Sequence, residues 1–200
     1  MKERIVYVHG KGGSAEEAER YRALLPEAEI VGFDYRAQTP WEAREEFPRF
    51  FAEQRTRCEH ITLLANSIGA FFSMSALDEG LIDRACFISP VVDMEALIGR
   101  IMLWAGVREQ ELAERLEIPT RFGETLSWRY LCDAREHPIV WRVPTRILYG
   151  EGDELTPMEV MEAFVRRTGA ELTVMPGGEH WFHTEEQLRF LDAWLTGQGA

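Results

Sequence analysis

The sequence lacks any run of about 18 apolar residues, the length that a helix needs to cross a bilayer. Its first stretch, MKERIVYVHGKGGS, has charges followed by only four strongly apolar residues. That is too short for the apolar core of a signal peptide. We therefore expect a soluble, cytoplasmic protein with no membrane span.

Basic residues are also scarce. The chain has 22 lysines and arginines against 34 aspartates and glutamates, and its formal net charge at pH 7 is -12. A surface that binds nucleic acid needs clustered basic side chains to contact the phosphates. The composition therefore argues against nucleic acid as a partner.

Cysteines are few, and nucleotide-binding patterns are missing. Cys58, Cys86 and Cys132 are an odd number without the spacing of a metal site, which indicates reduced thiols rather than a disulfide framework. The segment HGKGGS matches neither G-x-x-x-x-G-K-[ST] nor G-x-G-x-x-G. We expect neither a metal nor an organic cofactor.

The sequence does contain a regular alternation of elements. At 200 residues and 46% hydrophobic composition, it is long enough for one compact domain. Six short apolar runs alternate with helical patterns, and this order predicts a three-layer αβα sandwich with a mostly parallel sheet. The predicted strands are RIVYVHG, AEIVGFDY, HITLLANS, ACFISPVV, TRILYGEGD and ELTVMPGG.

Five helices are predicted between these strands. They span residues 14–25, 40–57, 68–79, 157–168 and 185–195. In the first, Ser14 is the expected N-cap and Glu17 its capping-box partner, and in the fourth, Thr156 is the expected cap.

Residues 92–143 interrupt the alternation. They contain no strand-like run but have amphipathic segments and several aromatic residues. A long helical segment of this kind often covers a functional site, so we predict a helical cap insertion within a single domain of residues 1–200. Four aromatic residues are candidates for the substrate pocket, with Trp104 and Trp128 foremost and then Phe122 and Trp141. The alternative for most of them is that they simply pack in the core.

Ser67 lies where a strand runs directly into a helix, in the segment ANSIG. A sharp turn at such a junction exposes the serine hydroxyl, and it needs small residues two positions before and after. Ala65 and Gly69 meet that requirement. The alternative is that Ser67 only caps the following helix.

Two further strand ends supply an acid and a base. Asp153 follows the fifth strand and His180 follows the sixth, so the chain order is Ser, Asp, His. We predict that Asp153 orients His180 and that His180 takes the proton of Ser67. Glu154 or Asp93 is an alternative acid, and His183 is an alternative base.

The glycine-rich loop after the first strand, VYVHGKGGS, predicts an oxyanion hole. Its expected backbone donors are the amides of Lys11 and Ile68. Trp181 and Phe182 are candidate substrate-binding residues because they adjoin His180, and the loop DYRAQTPW is a candidate second wall.

Taken in order, VHGKGGS, LLANSIGA, YGEGDELTP and GGEHWFH resemble the oxyanion, nucleophile, acid and histidine motifs of the α/β-hydrolase superfamily. The resemblance spans residues from about 5 to 195. It implies a six-stranded sheet in the order 2-1-3-4-5-6 with a helical cap. The chain departs from the family pattern in having Ala65 where glycine is usual and in starting at the strand that carries the oxyanion loop.

The residues and the resemblance together predict a serine hydrolase of carboxylesterase type. It would act on an ester or related acyl bond of a small molecule through a covalent acyl-enzyme, as a monomer or homodimer, without a cofactor. The alternatives are an aminopeptidase-like enzyme with Glu154 or Glu179 near the substrate amine, another enzyme on the same fold, or a non-catalytic binding protein.

Overall fold

The computed structural model describes residues 3–197, and its main element is a six-stranded parallel sheet. The strands, numbered along the chain, are β1 (Glu3–Val8), β2 (Glu29–Gly32), β3 (His60–Asn66), β4 (Arg84–Ile88), β5 (Glu117–Pro119), β6 (Thr125–Ser127), β7 (Thr145–Gly150) and β8 (Glu171–Met175). The large sheet has the order β2-β1-β3-β4-β7-β8. This is the predicted order once β5 and β6, which form a separate antiparallel pair, are left out of the count.

All five predicted helices are present. The helices are α1 (Ala18–Leu24), α2 (Pro40–Arg55), α3 (Ile68–Ala76), α4 (Met94–Ala105), α5 (Glu109–Arg115), α6 (Trp128–Glu136), α7 (Met158–Thr168) and α8 (Glu185–Thr196). A short 3-10 helix, Ala15–Glu17, precedes α1. The first predicted helix is therefore divided into two pieces.

Neither of the two predicted caps forms its side-chain hydrogen bond, although Ser14 does occupy the N-cap position of the 3-10 helix. The side chain of Ser14 makes no capping hydrogen bond, and Glu17 instead accepts a hydrogen bond from the hydroxyl of Tyr7. Thr156 donates its hydroxyl to the carbonyl of Pro90, 3.2 Å away, rather than capping α7. In both places a tertiary partner replaces the local side-chain to backbone bond that the sequence pattern favours.

The sheet is covered on both faces because successive strand residues point in opposite directions. On one face, Tyr7 and Leu64 join a core cluster with Tyr21 of α1 and Trp194 of α8. On the other face, α3 packs on the end of β1 beside Val8, and α2 packs on α3. These layers confirm the predicted three-layer α/β fold class.

Residues Asp93–Ile139 form a compact unit of their own, which contains α4, α5, α6 and the β5–β6 hairpin. The expectation that this stretch has no strand is wrong. Thr120 and Glu124 close the hairpin by a backbone bond of 2.7 Å, and Gly123 supplies the positive φ of 82° that the turn needs. Within this unit, Arg135 binds both Glu95 and Glu109.

The described residues on either side of this unit form the second compact unit, which carries the large sheet. The role of residues 92–143 as a cap stays a prediction.

Across residues 3–197, no helix has the length and apolar character needed to span a bilayer. The three cysteines are free thiols, and burial raises the pKa of Cys86. Cytoplasmic location stays a prediction.

Candidate functional site

Three of the predicted site residues lie at one edge of the large sheet. Ser67, Asp153 and His180 follow the carboxyl ends of β3, β7 and β8, which are parallel strands. Ser67 Oγ lies 2.8 Å from His180 Nε2, and His180 Nδ1 lies 2.7 Å from Asp153 Oδ2. The structure thus brings the three side chains into one hydrogen-bonded line.

The backbone at Ser67 is strained. Its φ of 51° and ψ of -120° lie in a region that residues other than glycine rarely adopt. Its N–H donates to the carbonyl of Ile88 at 3.0 Å, and its own carbonyl accepts from Ala70 and Val91 at 3.2 Å each. The Ser67 side chain makes no helix-capping bond, so the alternative that Ser67 only caps α3 is wrong.

The small residues around Ser67 are required by close packing. A Cβ on Gly69 would lie 2.3 Å from the carbonyl oxygen of His9 and 2.9 Å from that of Val8, so only glycine lets α3 pack on the end of β1. Ala65 is fully buried in β3, in register with Val8 and with Phe87 of the neighbouring strands. The site therefore accommodates a methyl group at position 65 but leaves no room for one at position 69.

Asp153 is a buried carboxylate whose oxygens all have partners. Its side chain is 0% exposed. Oδ1 accepts from the backbone N–H groups of Leu155 and Thr156 at 2.8 and 3.1 Å, while Oδ2 faces His180. A buried carboxylate needs such bonds to offset its loss of hydration. They hold the carboxylate in a single orientation toward the imidazole.

The two alternative acids have other positions. Glu154 is exposed, next to Asp153 in the chain. Asp93 accepts a hydrogen bond from the N–H of Ala96 at 2.9 Å and is the N-cap of α4. Of the three candidate acids, Asp153 is the one that is hydrogen-bonded to His180.

His180 reaches Asp153 because the loops after β7 and β8 pack tightly on each other. A Cβ on Gly150 would lie 2.5 Å from the carbonyl oxygen of Glu179, and one on Gly178 would lie 3.1 Å from the Cα of Gly150. This backbone contact requires glycine at position 150, the last residue of β7, and leaves little room for a side chain at position 178. The imidazole of His180 is 19% exposed.

His183 belongs to the start of α8. Its backbone N–H donates to the side chain of Gln187 at 3.0 Å, and Thr184 is the N-cap of this helix. The His183 ring stacks on Trp181, with 4.8 Å between ring centroids, and its Nδ1 lies 2.8 Å from the Trp181 carbonyl. His183 is therefore engaged by its own loop, as expected for a residue at a helix start.

The glycine-rich loop after β1 lies against Ser67. The N–H of Gly13 donates to the carbonyl of Gly10 at 3.1 Å, and a Cβ on Gly10 would lie 3.2 Å from the Cβ of Ser67. Lys11 lies within this turn. Ile68 is the first residue of α3, where backbone N–H groups have no acceptor within the helix. Donation by Lys11 and Ile68 to an oxyanion stays a proposal.

A cavity of about 580 Å³ adjoins this loop and is lined by Ser67 and His180. Two predicted substrate-binding residues also line it: Trp181, which is 71% exposed, and Phe182, which is buried. The rest of the lining is Tyr7, Gly10, Lys11, Gly12, Gly13, Glu17, Arg20, Tyr21, Asn66, Ile88, Leu155, Leu188 and Leu191. The cavity thus contains both members of the Ser–His pair.

Sequence reasoning missed several of these lining residues, among them the polar group Tyr7, Glu17, Arg20 and Tyr21. The helical pattern assigned Tyr21 to a buried stripe and Glu17 to a cap. Their closeness in the chain to the glycine-rich loop is the signal that could have connected them to the site.

The other predicted aromatic residues have separate environments. Trp104 lies edge-on to Phe122 and beneath Arg100, all within residues 93–139. Trp128 begins α6 in the same unit, and its contribution to substrate binding, like that of Trp104, stays a prediction. Trp141 packs on Phe87 in the core.

The loop after β2, predicted as a second wall, contacts the glycine-rich loop after β1. Tyr35 donates its hydroxyl to the carbonyl of His9 at 2.9 Å and stacks on the His9 ring with 4.3 Å between centroids.

Within residues 3–197, no group of three or more His, Cys, Asp or Glu side chains is arranged to hold a metal ion.

Solved structures share this fold at low sequence identity. Est1E from Butyrivibrio proteoclasticus with ferulic acid bound is 17% identical, has a TM-score of 0.71, and is matched over 98% of this chain and 88% of its own. An alpha-beta serine hydrolase homologue from Coxiella burnetii is 18% identical, with a TM-score of 0.64 and coverage of 100% and 85%. An esterase from Exiguobacterium antarcticum is 16% identical, with a TM-score of 0.64 and coverage of 98% and 91%.

No curated protein sequence matches this chain. A family model described as the alpha/beta hydrolase family matches residues 5–193, which is nearly the full sequence. This chain therefore belongs to the alpha/beta hydrolase family.

Proposed function

We propose that this protein is a serine hydrolase that cleaves a carboxylic ester, or a related acyl bond, of a small molecule. The observation that carries the proposal is the line from Ser67 to His180 to Asp153, with contacts of 2.8 and 2.7 Å beside a cavity. An ester substrate is consistent with two solved structures of the same fold. One is an esterase, and the other has ferulic acid bound.

The proton positions follow from the partners. A carboxylate accepts hydrogen bonds but cannot donate them, so His180 carries its proton on Nδ1 and donates it to Asp153. The other ring nitrogen, Nε2, then accepts the hydrogen bond from the hydroxyl of Ser67. This tautomer is the one a general base needs in order to take the Ser67 proton.

Acylation begins when Ser67 Oγ attacks the ester carbonyl carbon while His180 Nε2 takes the hydroxyl proton. The carbonyl oxygen becomes an oxyanion, to which the amides of Lys11 and Ile68 donate. Asp153 stabilises the imidazolium that forms. The tetrahedral intermediate then expels the alkoxide oxygen, which receives the proton from His180 and leaves as an alcohol.

Deacylation repeats these steps with water as the nucleophile. His180 takes a proton from water as the water oxygen attacks the acyl-enzyme carbonyl, and the same two amides hold the oxyanion. The bond to Ser67 Oγ breaks, and the serine recovers its proton from His180. The products are a carboxylic acid and an alcohol.

A fluorophosphonate probe tests the nucleophile directly. We expect wild-type protein to form a covalent adduct on Ser67, detected by mass spectrometry of the labelled peptide, and we expect Ser67→Ala to form none. Circular dichroism and thermal unfolding show whether the variant is folded. Failure of folded wild-type protein to react, together with no ester hydrolysis, would contradict the proposal.

Paired substitutions test the base and the acid. His180→Gln and Asp153→Asn should each lower kcat strongly, by about 10⁴-fold for the aspartate. The matched controls are the neighbours that sequence reasoning considered, His183→Gln and Glu154→Gln, which should keep near wild-type activity. If activity were lost only in His183→Gln, His183 would be the base, and if it were lost only in Glu154→Gln, Glu154 would be the acid.

Substrate panels test the bond that is cleaved. p-Nitrophenyl esters of increasing acyl length and aminoacyl anilides offer an ester and an amide in the same assay format. We expect ester turnover that depends on Ser67. Turnover of the anilides alone would favour an aminopeptidase-like enzyme instead.

A further inference from the structure

One part of the cavity wall is polar, and it is built from residues outside the proposed triad. Tyr7 is on β1, Glu17 is on the 3-10 helix, and Arg20 and Tyr21 are on α1. Elsewhere the lining includes apolar side chains such as Leu191. Tyr7 donates its hydroxyl to Glu17 Oε2, so these two side chains form a fixed pair within the wall.

The two phenols of this wall keep their protons. Burial raises the pKa of Tyr7 far above its ordinary value, with the nearby Tyr21 acting in the same direction. Burial also raises the pKa of Tyr21 to about 12, although Arg20 acts against it. Both residues are therefore neutral hydroxyl donors near neutral pH, and the Tyr7 hydroxyl is committed to Glu17.

Glu17 supplies the carboxylate of this wall, and the basic residues Lys11 and Arg20 line the same cavity. Arg20 forms an ion pair with Asp192, so the charge of Arg20 is compensated outside the Tyr7–Glu17 pair. The Tyr7 hydroxyl is neutral, so its bond orients the Glu17 carboxylate without cancelling its charge. The other oxygen, Oε1, would lie 2.6 Å from a Cβ on Gly13, so the carboxylate packs against the glycine-rich loop.

We propose that Tyr7 and Glu17 form a subsite that binds a hydrogen-bond donor, a hydroxyl or ammonium group, on the part of the substrate that enters this cavity. The subsite rests on the proposed function, because the cavity is assigned to substrate through Ser67 and His180. The Glu17 carboxylate accepts from the donor group, and Tyr7 holds that carboxylate in place. A substrate carboxylate at the same position is disfavoured by like charge.

Matched esters measure this selectivity. In an acyl series, the methyl esters of ω-hydroxyhexanoate and ω-aminohexanoate are compared with methyl heptanoate, which has the same chain length, and with monomethyl adipate. In an alcohol series, the monoacetate of hexanediol is compared with heptyl acetate. Shorter and longer homologues locate the best length, and the two series cover either side of the scissile bond.

In at least one series, the wild-type enzyme should show a kcat/KM about tenfold higher for the donor-bearing ester than for its methyl-terminated match. The adipate half-ester should be the poorest acyl substrate. Glu17→Gln should lower the ratio of the amino ester to the half-ester by about tenfold or more, because the substitution removes the charge but keeps the shape. Ratios within one protein cancel any general loss of activity.

Glu16→Gln is the matched control because Glu16 lies beside Glu17 in the same 3-10 helix but outside the cavity lining. It should leave the ratios unchanged. Equal kcat/KM values within both series, or an equal shift in the control, would overturn the subsite while leaving hydrolysis by Ser67 intact. Failure of the proposed function is different, since no ester would then be cleaved and no probe would label Ser67.

Discussion

The two edges of the large sheet use polar side chains in opposite ways. At the carboxyl edge, Ser67, His180 and Asp153 form a hydrogen-bonded line that ends on a cavity. At the amino edge, Asp83 binds Arg55 through both carboxylate oxygens and also accepts from the N–H of Ile61 at 2.8 Å. The first arrangement places the Ser67 hydroxyl, the proposed nucleophile, beside a cavity, whereas the second uses both Asp83 oxygens in internal contacts.

The backbone differs in the same way. At the carboxyl edge, Ser67 has a positive φ and is held by hydrogen bonds on both sides. At the amino edge, buried Arg4 donates to Gln54 at 2.6 Å and pairs with Glu29, all three in regular strands or a helix. Strain persists only where the surroundings enforce it, and it concentrates where function requires it. The carboxyl edge thus combines a strained serine with a cavity, as the proposed function requires, whereas the amino edge uses its polar side chains to join regular elements.

Substitution of the strained serine should give the largest effect. Ser67→Gly removes the nucleophile, so kcat should fall by about 10⁶-fold. Glycine tolerates a φ of 51°, so the free energy of unfolding should rise by about 1 kcal/mol despite the glycine's added freedom in the unfolded chain. Activity assays and urea unfolding measure the two quantities.

Ser67→Ala is the control for this prediction. It removes the same hydroxyl but keeps a Cβ in the strained conformation, so it should be as inactive and less stable than Ser67→Gly. If Ser67→Gly were the less stable of the two variants, the backbone at the carboxyl edge would not store the strain assigned to it.

Close packing behind the serine gives the next largest effect. Gly69→Ala places a Cβ 2.3 Å from the carbonyl oxygen of His9, so α3 must shift away from β1. We expect a loss of about 3 kcal/mol in unfolding free energy. We also expect a fall of about 10²-fold in kcat/KM, because the shift displaces Ser67 relative to His180.

Gly99→Ala is the matched helix control. Among the described residues, no heavy atom beyond the near backbone of its own helix lies within 4 Å of a Cβ built on Gly99. Alanine there should raise stability by up to about 1 kcal/mol through helix propensity alone. If Gly69→Ala and Gly99→Ala changed the free energy of unfolding equally, the effect at Gly69 could not be assigned to close packing.

The fold and the candidate triad were predictable because both depend on patterns along the chain. Alternating strands and helices indicate a parallel sheet, and such a sheet brings its strand ends to one edge, where Ser67, Asp153 and His180 lie. The residue types and their order then indicated the chemistry. The tolerance of Ala65 at the turn was also predictable from its small volume.

Features that depend on tertiary partners were not predictable. Glu17 has the local pattern of a capping residue, but its carboxylate binds Tyr7, which lies ten residues earlier in the chain. Thr156 likewise binds Pro90, which follows a different strand. The strands β5 and β6 have three residues each, too few to show the two-residue alternation by which strands are recognised.

The ion pair at the amino edge gives the smallest effect and tests the other half of the comparison. The Arg55 guanidinium holds the pKa of the Asp83 carboxyl well below its usual range. Asp83→Asn should lower the free energy of unfolding by about 1 kcal/mol at neutral pH, allowing for partial exposure, and should leave kcat/KM unchanged. Glu53→Gln, which breaks an exposed pair with Arg57, should cost no more than about 0.3 kcal/mol.

The pH dependence separates an electrostatic contribution of Asp83 from a change in packing. Because the folded-state pKa is lowered, the stabilisation is complete above the pKa of the unfolded carboxyl, about 3.9, and is lost as the pH falls through the folded-state pKa. The stability gap between wild type and Asp83→Asn should therefore be constant at neutral pH and narrow below about pH 4. Urea unfolding of both proteins across this range measures the gap. A gap that stayed constant in acid would assign the effect to the lost shape of the carboxylate rather than to its charge.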